Sequence, residues 1–158
     1  MKIGRALVTV IVFSSLVAGC GKRYIPNTEI EDNEVNREIV AFCERYRHAV
    51  EDLNIGLLLS LASPRYFDNS GTTTGDDDMD RVGLEDILKN RFKTVRAIRY
   101  EIHYRSIYEN YDVIHIEYTY TTSFQYEVDG VTKWENKTAD NQLELERIDD
   151  GYLILSGM

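Results

Sequence analysis

Two stretches decide the fold, Ile98-Arg99-Tyr100-Glu101-Ile102-His103-Tyr104 and Ile114-His115-Ile116-Glu117-Tyr118-Thr119-Tyr120. In both, apolar or aromatic residues alternate with charged or polar ones. That period of two gives a strand one face for a core and one for solvent. Phe124 continues the second apolar row. Turn residues at Glu109-Asn110-Tyr111, Asp129-Gly130 and Asp149-Asp150-Gly151 divide the C-terminal half into four strands in meander order. A two-residue turn at Asp129-Gly130 pairs positions whose numbers sum to 259. Leu143 then opposes Ile116 and Leu145 opposes Ile114, so the apolar faces agree. The same register sets Trp134 on the other face, opposite Gln125, unless a bulge in so long a strand intervenes. A three-residue turn at Asp149 to Gly151 would place Leu155 opposite Leu145.

Upstream the period changes to that of helices. Ile39, Phe42, Cys43, Tyr46, Val50 and Leu53 recur at three- and four-residue steps, while Glu38, Arg45, His48 and Glu51 fall elsewhere. Thr28-Glu29-Ile30-Glu31 fits a capping box, and Asp32 or Asn33 offers a second start for a helix running to about Asp52. A short helix over Ile55 to Ala62 should stop at Ser63-Pro64, because the residue before proline is pushed out of helical geometry. Residues 68 to 80, rich in Asp, Gly and Thr, predict a loop. A third helix from about Gly83 to Lys93 presents Leu84, Ile87, Leu88, Arg91 and Phe92. Three helices ahead of a bent, mainly antiparallel sheet of four or slightly more strands make an α+β domain, with the helices covering one sheet face as a cone.

The N-terminus carries an address. Lys2 and Arg5 precede an apolar run over residues 6 to 17, which is short for a bilayer span, and Ala18-Gly19 supplies small side chains before Cys20. Val17-Ala18-Gly19-Cys20 resembles the lipobox of bacterial lipoproteins. That resemblance implies removal of residues 1–19 and acylation of Cys20, which becomes the first residue of the mature chain. It further implies a cell-envelope protein held by acyl chains. An Asp after the cysteine retains enteric lipoproteins in the inner membrane; Gly21 there resembles an outer-membrane address facing the periplasm. Residues 20–31 would then be the lipidated cysteine and its tether, and 32–158 the domain.

Composition narrows the functions. The whole chain has a formal charge of −9; loss of Lys2 and Arg5 leaves a mature charge of −11. An acidic domain is unsuited to nucleic acid or to electrostatic docking on anionic lipid, so attachment falls to the acyl chains. With Cys20 acylated, Cys43 lacks an intramolecular disulfide partner. Its place on the helix stripe makes it an inert core thiol.

By the order of its elements, the region from about residue 32 to 158 is similar to the superfamily of nuclear transport factor 2, ketosteroid isomerase and the SnoaL-like proteins. The residues that carry this are the long first helix, the Leu57-Leu58-Leu59-Ser60-Leu61-Ala62-Ser63-Pro64-Arg65-Tyr66-Phe67-Asp68 segment, the short third helix, the meander and the closing Gly151-Tyr152-Leu153-Ile154-Leu155-Ser156-Gly157 strand. The resemblance implies a cavity-mouth base at Asp68 and a hydrogen-bond donor at Tyr46, should the chain be an isomerase or dehydratase. It also implies a homodimer, or an envelope partner, on the uncovered sheet face. Against catalysis, Asp68-Asn69-Ser70-Gly71 is a natural turn in which Asp68 caps its own backbone.

Tyr46, Tyr66, Tyr100, Tyr104, Tyr118 and Tyr120 are the candidate lining of a pocket for a small apolar ligand, or else core with satisfied hydroxyls. His103 and His115, with Glu101 and Glu117 close by, permit a zinc site if they are diagonal neighbours, but such spacing on a sheet is easily met by chance and a solvated or partner-facing surface explains them better. His48 falls off the helix stripe and belongs in solvent. Asp76-Asp77-Asp78 does not fit an EF-hand, since Thr73 stands where Gly is required when counting from Asp68. No metal, cofactor or nucleophile motif is expected. The resulting expectation is a lipid-anchored, non-catalytic ligand- or partner-binding module. The alternatives are a SnoaL-like enzyme using a cavity Asp and a scaffold subunit of an envelope assembly.

Overall fold

The computed structural model describes residues 21–69, 71, 75 and 78–158. Cys20, the leader before it, Thr73, Asp76 and Asp77 lie outside the described residues. Helix α1 (Glu34–Glu51) starts at Asn33, whose side chain accepts the Asn36 N–H at 2.9 Å. Glu34 in the first turn suits the positive helix end. The start therefore lies at the second of the two sites read from sequence. Thr28 instead closes a turn, donating its hydroxyl to the Ile25 carbonyl and accepting the Ile30 N–H.

The buried stripe of α1 is Ile39, Phe42, Cys43, Tyr46 and Ala49. Leu53, expected on that stripe, is instead the left-handed residue (φ 53°) that turns the chain into α2 (Ile55–Leu61), capped by Asn54. After Ala62 the chain docks on the sheet: the Ser63 N–H donates to the Ile154 carbonyl at 2.8 Å. The buried Ser63 hydroxyl donates to the Glu146 carboxylate, which Arg65 also binds.

Within the expected loop, strands β1 (Phe67–Asp68) and β2 (Met79–Asp80) pair as a short antiparallel ladder. Asp80 accepts the Gly83 N–H at 2.8 Å and starts α3 at Arg81, which ends at Phe92. Leu84 and Leu88 enter the core; Arg91, read as part of the helix's packing face, is exposed.

The main sheet is β3 (Val95–Asn110), β4 (Val113–Val128), β5 (Val131–Ile148) and β6 (Gly151–Ser156), antiparallel and in sequence order. The β4–β5 register is the one the Asp129-Gly130 turn dictates, with Ile116 opposite Leu143, Ile114 opposite Leu145 and Gln125 opposite Trp134, and no bulge. Ile114, Ile116, Leu143 and Leu145 are buried in the one core that residues of α1, α2 and α3 also fill. Each contributes roughly 1.5–3 kcal/mol by leaving water.

The last hairpin differs from expectation. Ile148 pairs with Gly151 across a two-residue turn, and Leu145 opposes Ile154 rather than Leu155. A register shift between Glu144 and Leu145 accommodates the change, and Ile154 takes the buried place. Register shifts in β3, at Val95/Ala97 and Tyr104/Ser106, bend that long strand. The second shift moves the inward phase from even positions (Tyr100, Ile102, Tyr104) to odd (Ile107). No helix among the described residues is long and apolar enough to cross a membrane.

Candidate functional site

The alternation of β3 and β4 drives Tyr100, Tyr104, Tyr118 and Tyr120 onto the face covered by α1, whose stripe supplies Tyr46. Tyr104 lies directly opposite Tyr118, with ring centroids 6.4 Å apart. Tyr100 touches Tyr120 at 5.5 Å and meets the edge of Tyr46 at 6.3 Å. Tyr46, Tyr66, Tyr100, Tyr104 and Tyr118 are buried; Tyr120 is half-buried beneath the Lys137 ammonium. Five of the six candidate pocket tyrosines thus pack ring to ring, and the sixth, Tyr66, lies beside Asp68.

The hydroxyls of the five buried tyrosines have partners inside the protein. Tyr104 donates to the Glu44 carboxylate at 2.9 Å. Those of Tyr46, Tyr100 and Tyr118 hydrogen-bond one another, and Tyr118 also accepts from Asn141 at 3.0 Å. Tyr66 donates to Asp68 at 3.4 Å and accepts the Met158 N–H at 3.2 Å. Burial holds the phenols of Tyr46, Tyr66, Tyr100, Tyr104 and Tyr118 above the ordinary tyrosine range, because a phenolate there would lose its hydration.

Asp68 stands at the end of this cluster. Its carboxylate accepts the Gly157 N–H at 2.9 Å, tying β1 to the C-terminal segment. It also lines a polar cleft of about 420 Å³ with Arg91, Asn141, Gln142, Glu144 and Met158. Tyr46 is not in that lining, so the two residues of the enzyme reading do not share it. Asn141 is the residue that sequence reasoning missed. It joins the Tyr118 hydroxyl to the Gly157 carbonyl, each at 3.0 Å. The 259 register already marks it as a polar residue facing inward, opposite Tyr118.

Cys43 is fully buried, and burial pushes its thiol far above the range in which thiolate forms. The two sheet histidines are not neighbours. His103 opposes Thr119 and pairs with Glu29 at 3.1 Å, whereas His115 opposes Tyr108, stacks on it at 4.9 Å and lies 3.4 Å from Glu144. Their partners on β4 are four residues apart (119 against 115), roughly 13 Å along the strand. That separation rules out one metal ion between them. Among the described residues no three His, Cys, Asp or Glu side chains gather as a metal site. His48 is exposed.

On the outward sheet face, Thr119–Asp140, Thr121–Thr138 and Ser123–Asn136 form a ladder of cross-strand hydrogen bonds. It ends near Trp134, half exposed and 5.8 Å beneath the Arg99 guanidinium.

No protein-family model matches the chain, and no curated protein matches it by sequence. Solved structures do match. One described as a calcium/calmodulin-dependent protein kinase II association domain, from Xanthomonas campestris, superposes with a TM-score of 0.64 at 20% identity over 86% of this chain and 90% of that one. A ketosteroid isomerase-like protein from Erwinia carotovora atroseptica gives 0.61 at 15% identity, covering 80% and 95%. A protein described as a dehydratase of the nuclear transport factor 2-like family, from Streptomyces avermitilis, gives 0.64 at 12% identity, covering 77% and 92%. The chain has the nuclear transport factor 2-like fold shared by SnoaL-like and ketosteroid isomerase-like proteins.

Proposed function

We propose that this protein is a lipid-anchored envelope module, held by acyl chains on Cys20 at the outer membrane and facing the periplasm, which binds a partner and performs no chemistry. The observation that carries the non-catalytic part is how the candidate catalytic groups are used. Asp68 braces the Gly157 N–H, and the Tyr46 hydroxyl serves a tyrosine network. The interior is occupied by packed rings, so a small apolar ligand has less to recommend it than a macromolecular partner. The neighbours' descriptions include both an association domain and a dehydratase, so the fold itself accommodates either role.

The outward face, with its polar ladder and half-exposed Trp134, is the surface offered to a second copy or to an envelope protein. Aromatic side chains anchor such contacts where they are rigidly held, and Arg99 stacks on this one. Trp134→Glu should abolish self-association in analytical ultracentrifugation, or co-purification with an envelope protein, while leaving thermal stability nearly unchanged. Retention of every such complex would remove this surface from the proposal.

The anchor is tested by Cys20→Ser. Each buried methylene contributes roughly 0.8 kcal/mol to membrane binding, so loss of all chains should move the protein from the membrane to the soluble fraction by at least about tenfold. Unchanged partition would defeat the anchoring.

One observation favours a second reading: Asp68, Glu144 and Arg91 meet in the 420 Å³ cleft. An enzyme there would remove a proton from a carbon beside a carbonyl. The wild-type protein would then exchange that hydrogen of cyclic ketones with solvent deuterium, and Asp68→Asn would lose the exchange by about 100-fold. We expect no exchange above buffer from either protein.

A further inference from the structure

The segment between Cys20 and α1 is folded against the domain. Tyr24 and Glu31 form an antiparallel bridge. The Asp32 N–H donates to the Arg23 carbonyl at 2.7 Å, and the Ile25 N–H donates to the Ile30 carbonyl at 2.9 Å. Asn27, in the left-handed region at φ 62°, makes the intervening turn. Two attachments fix this hairpin to the cone. Ile30 is buried in the core, and the Glu29 N–H donates to the Tyr104 carbonyl of β3 at 3.0 Å. Only Gly21 and Lys22 therefore separate Cys20 from the first residue held by the fold. Three chain steps, from Cys20 to Arg23, reach about 10 Å at most.

We infer that Cys20 and its acyl chains are a short leash, which lays the pole made by residues 23–37 on the lipid headgroups and fixes the domain's orientation. This rests on the acylation of Cys20 proposed above. The charge distribution fits a lipid surface. Residues 21–37 hold Lys22, Arg23 and Arg37 against Glu29, Glu31, Asp32 and Glu34, a net of −1 out of the mature −11. Glu31 is met by Lys22 at 3.7 Å, and Asp32 by both Arg23 and Arg37. The leash segment itself is thus nearly neutral, so it adds little repulsion of its own towards anionic headgroups. Tyr24 and Val35, 51% and 47% exposed, offer an amphipathic ring and an apolar side chain to the headgroup layer.

The far end follows from the strands. The leash pole touches β3 at Tyr104, β3 runs back nine residues to Val95, and Val95 opposes Tyr126, three residues before the Asp129-Gly130 turn. Twelve residues in all set that turn roughly 40 Å from the pole along the strands. Val131 and Trp134, both exposed, therefore face away from the membrane that carries the anchor.

The test uses the full acylated protein in phosphatidylethanolamine/phosphatidylglycerol vesicles containing lipids with nitroxide-labelled headgroups. Fluorophores are placed at Val35→Cys or Val131→Cys; the buried Cys43 needs no replacement. Quenching should be at least about threefold stronger at position 35 than at 131. A twelve-residue Gly/Ser insertion after Gly21 should bring the two together with vesicle flotation unchanged. Equal quenching in the parent protein, or no response to the insertion, overturns the leash. A protein that fails to float and shows no acyl mass on Cys20 overturns the anchoring, and the leash falls with it.

Discussion

Raising the pH above about 10 should unfold this protein in one steep step, with at least five tyrosinates appearing together with the loss of tertiary structure. Burial holds the phenols of Tyr46, Tyr66, Tyr100, Tyr104 and Tyr118 above the ordinary value near 10. A group whose pKa is raised by folding contributes stability that is complete below its unfolded pKa. That contribution is lost as the pH climbs from there towards the folded value. Each such tyrosine removes about 1.4 kcal/mol per pH unit. Five acting together give a slope near 7 kcal/mol per unit, against a typical domain stability of about 5–15 kcal/mol. The transition should finish within roughly one to two units of its onset. Near-ultraviolet circular dichroism and tyrosinate absorbance, recorded on one titration, should change together. Tyr66→Phe should lower the slope by about one-fifth, since it removes one of the five titrating groups. Gradual ionisation of all eleven tyrosines with the dichroism retained to about pH 12 would show that the ring cluster is open to water.

The placement of that cluster was readable from the chain because strand alternation is a local property, and a two-residue turn propagates its register without error until a bulge intervenes. Between Asp129-Gly130 and Glu146 none does, so Leu143, Leu145 and even Asn141 could be assigned partners from arithmetic. The same arithmetic failed past Glu144. Asp149-Asp150-Gly151 closes equally well as a two- or three-residue turn, and the compensating shift at Glu144/Leu145 leaves no mark in composition. Histidine proximity failed for a related reason. The β3–β4 hairpin turns at the left-handed pair Tyr111-Asp112, with Asn110 opposite Val113, instead of at Glu109-Asn110-Tyr111, and this slides His103 to a place opposite Thr119, away from His115. Asp68 was legible as a candidate but its use was not. Its partner Gly157 is 89 positions away, and contacts of that range depend on the assembled fold rather than on any local pattern.

Gly157→Ala should be among the most destabilising single-methyl additions available in this protein, costing about 3 kcal/mol or more. Two independent demands meet there. The backbone lies at φ +94°, a conformation that side chains other than glycine rarely adopt. A Cβ would also stand 3.0 Å from the Gln142 carbonyl carbon, 3.2 Å from the Leu143 Cα and nearer still to the Gln142 oxygen. These are backbone atoms of β5 beside the completely buried Leu143, so nothing flexible can move aside. Gly130 separates the two demands: its φ of +74° is also left-handed, but a Cβ there meets nothing within 4 Å. Gly130→Ala should therefore cost only about 1–2 kcal/mol, and the excess at Gly157 measures the close approach itself. The same residue donates its N–H to Asp68 and accepts from Asn141 through its carbonyl. Displacing it should loosen the tyrosine network as well, and with it the alkaline cooperativity described above. Urea midpoints for the two alanine variants decide the matter. Equal losses would mean that β5 and the C-terminal segment do not approach closely, and that Asp68 does not brace the fold through Gly157.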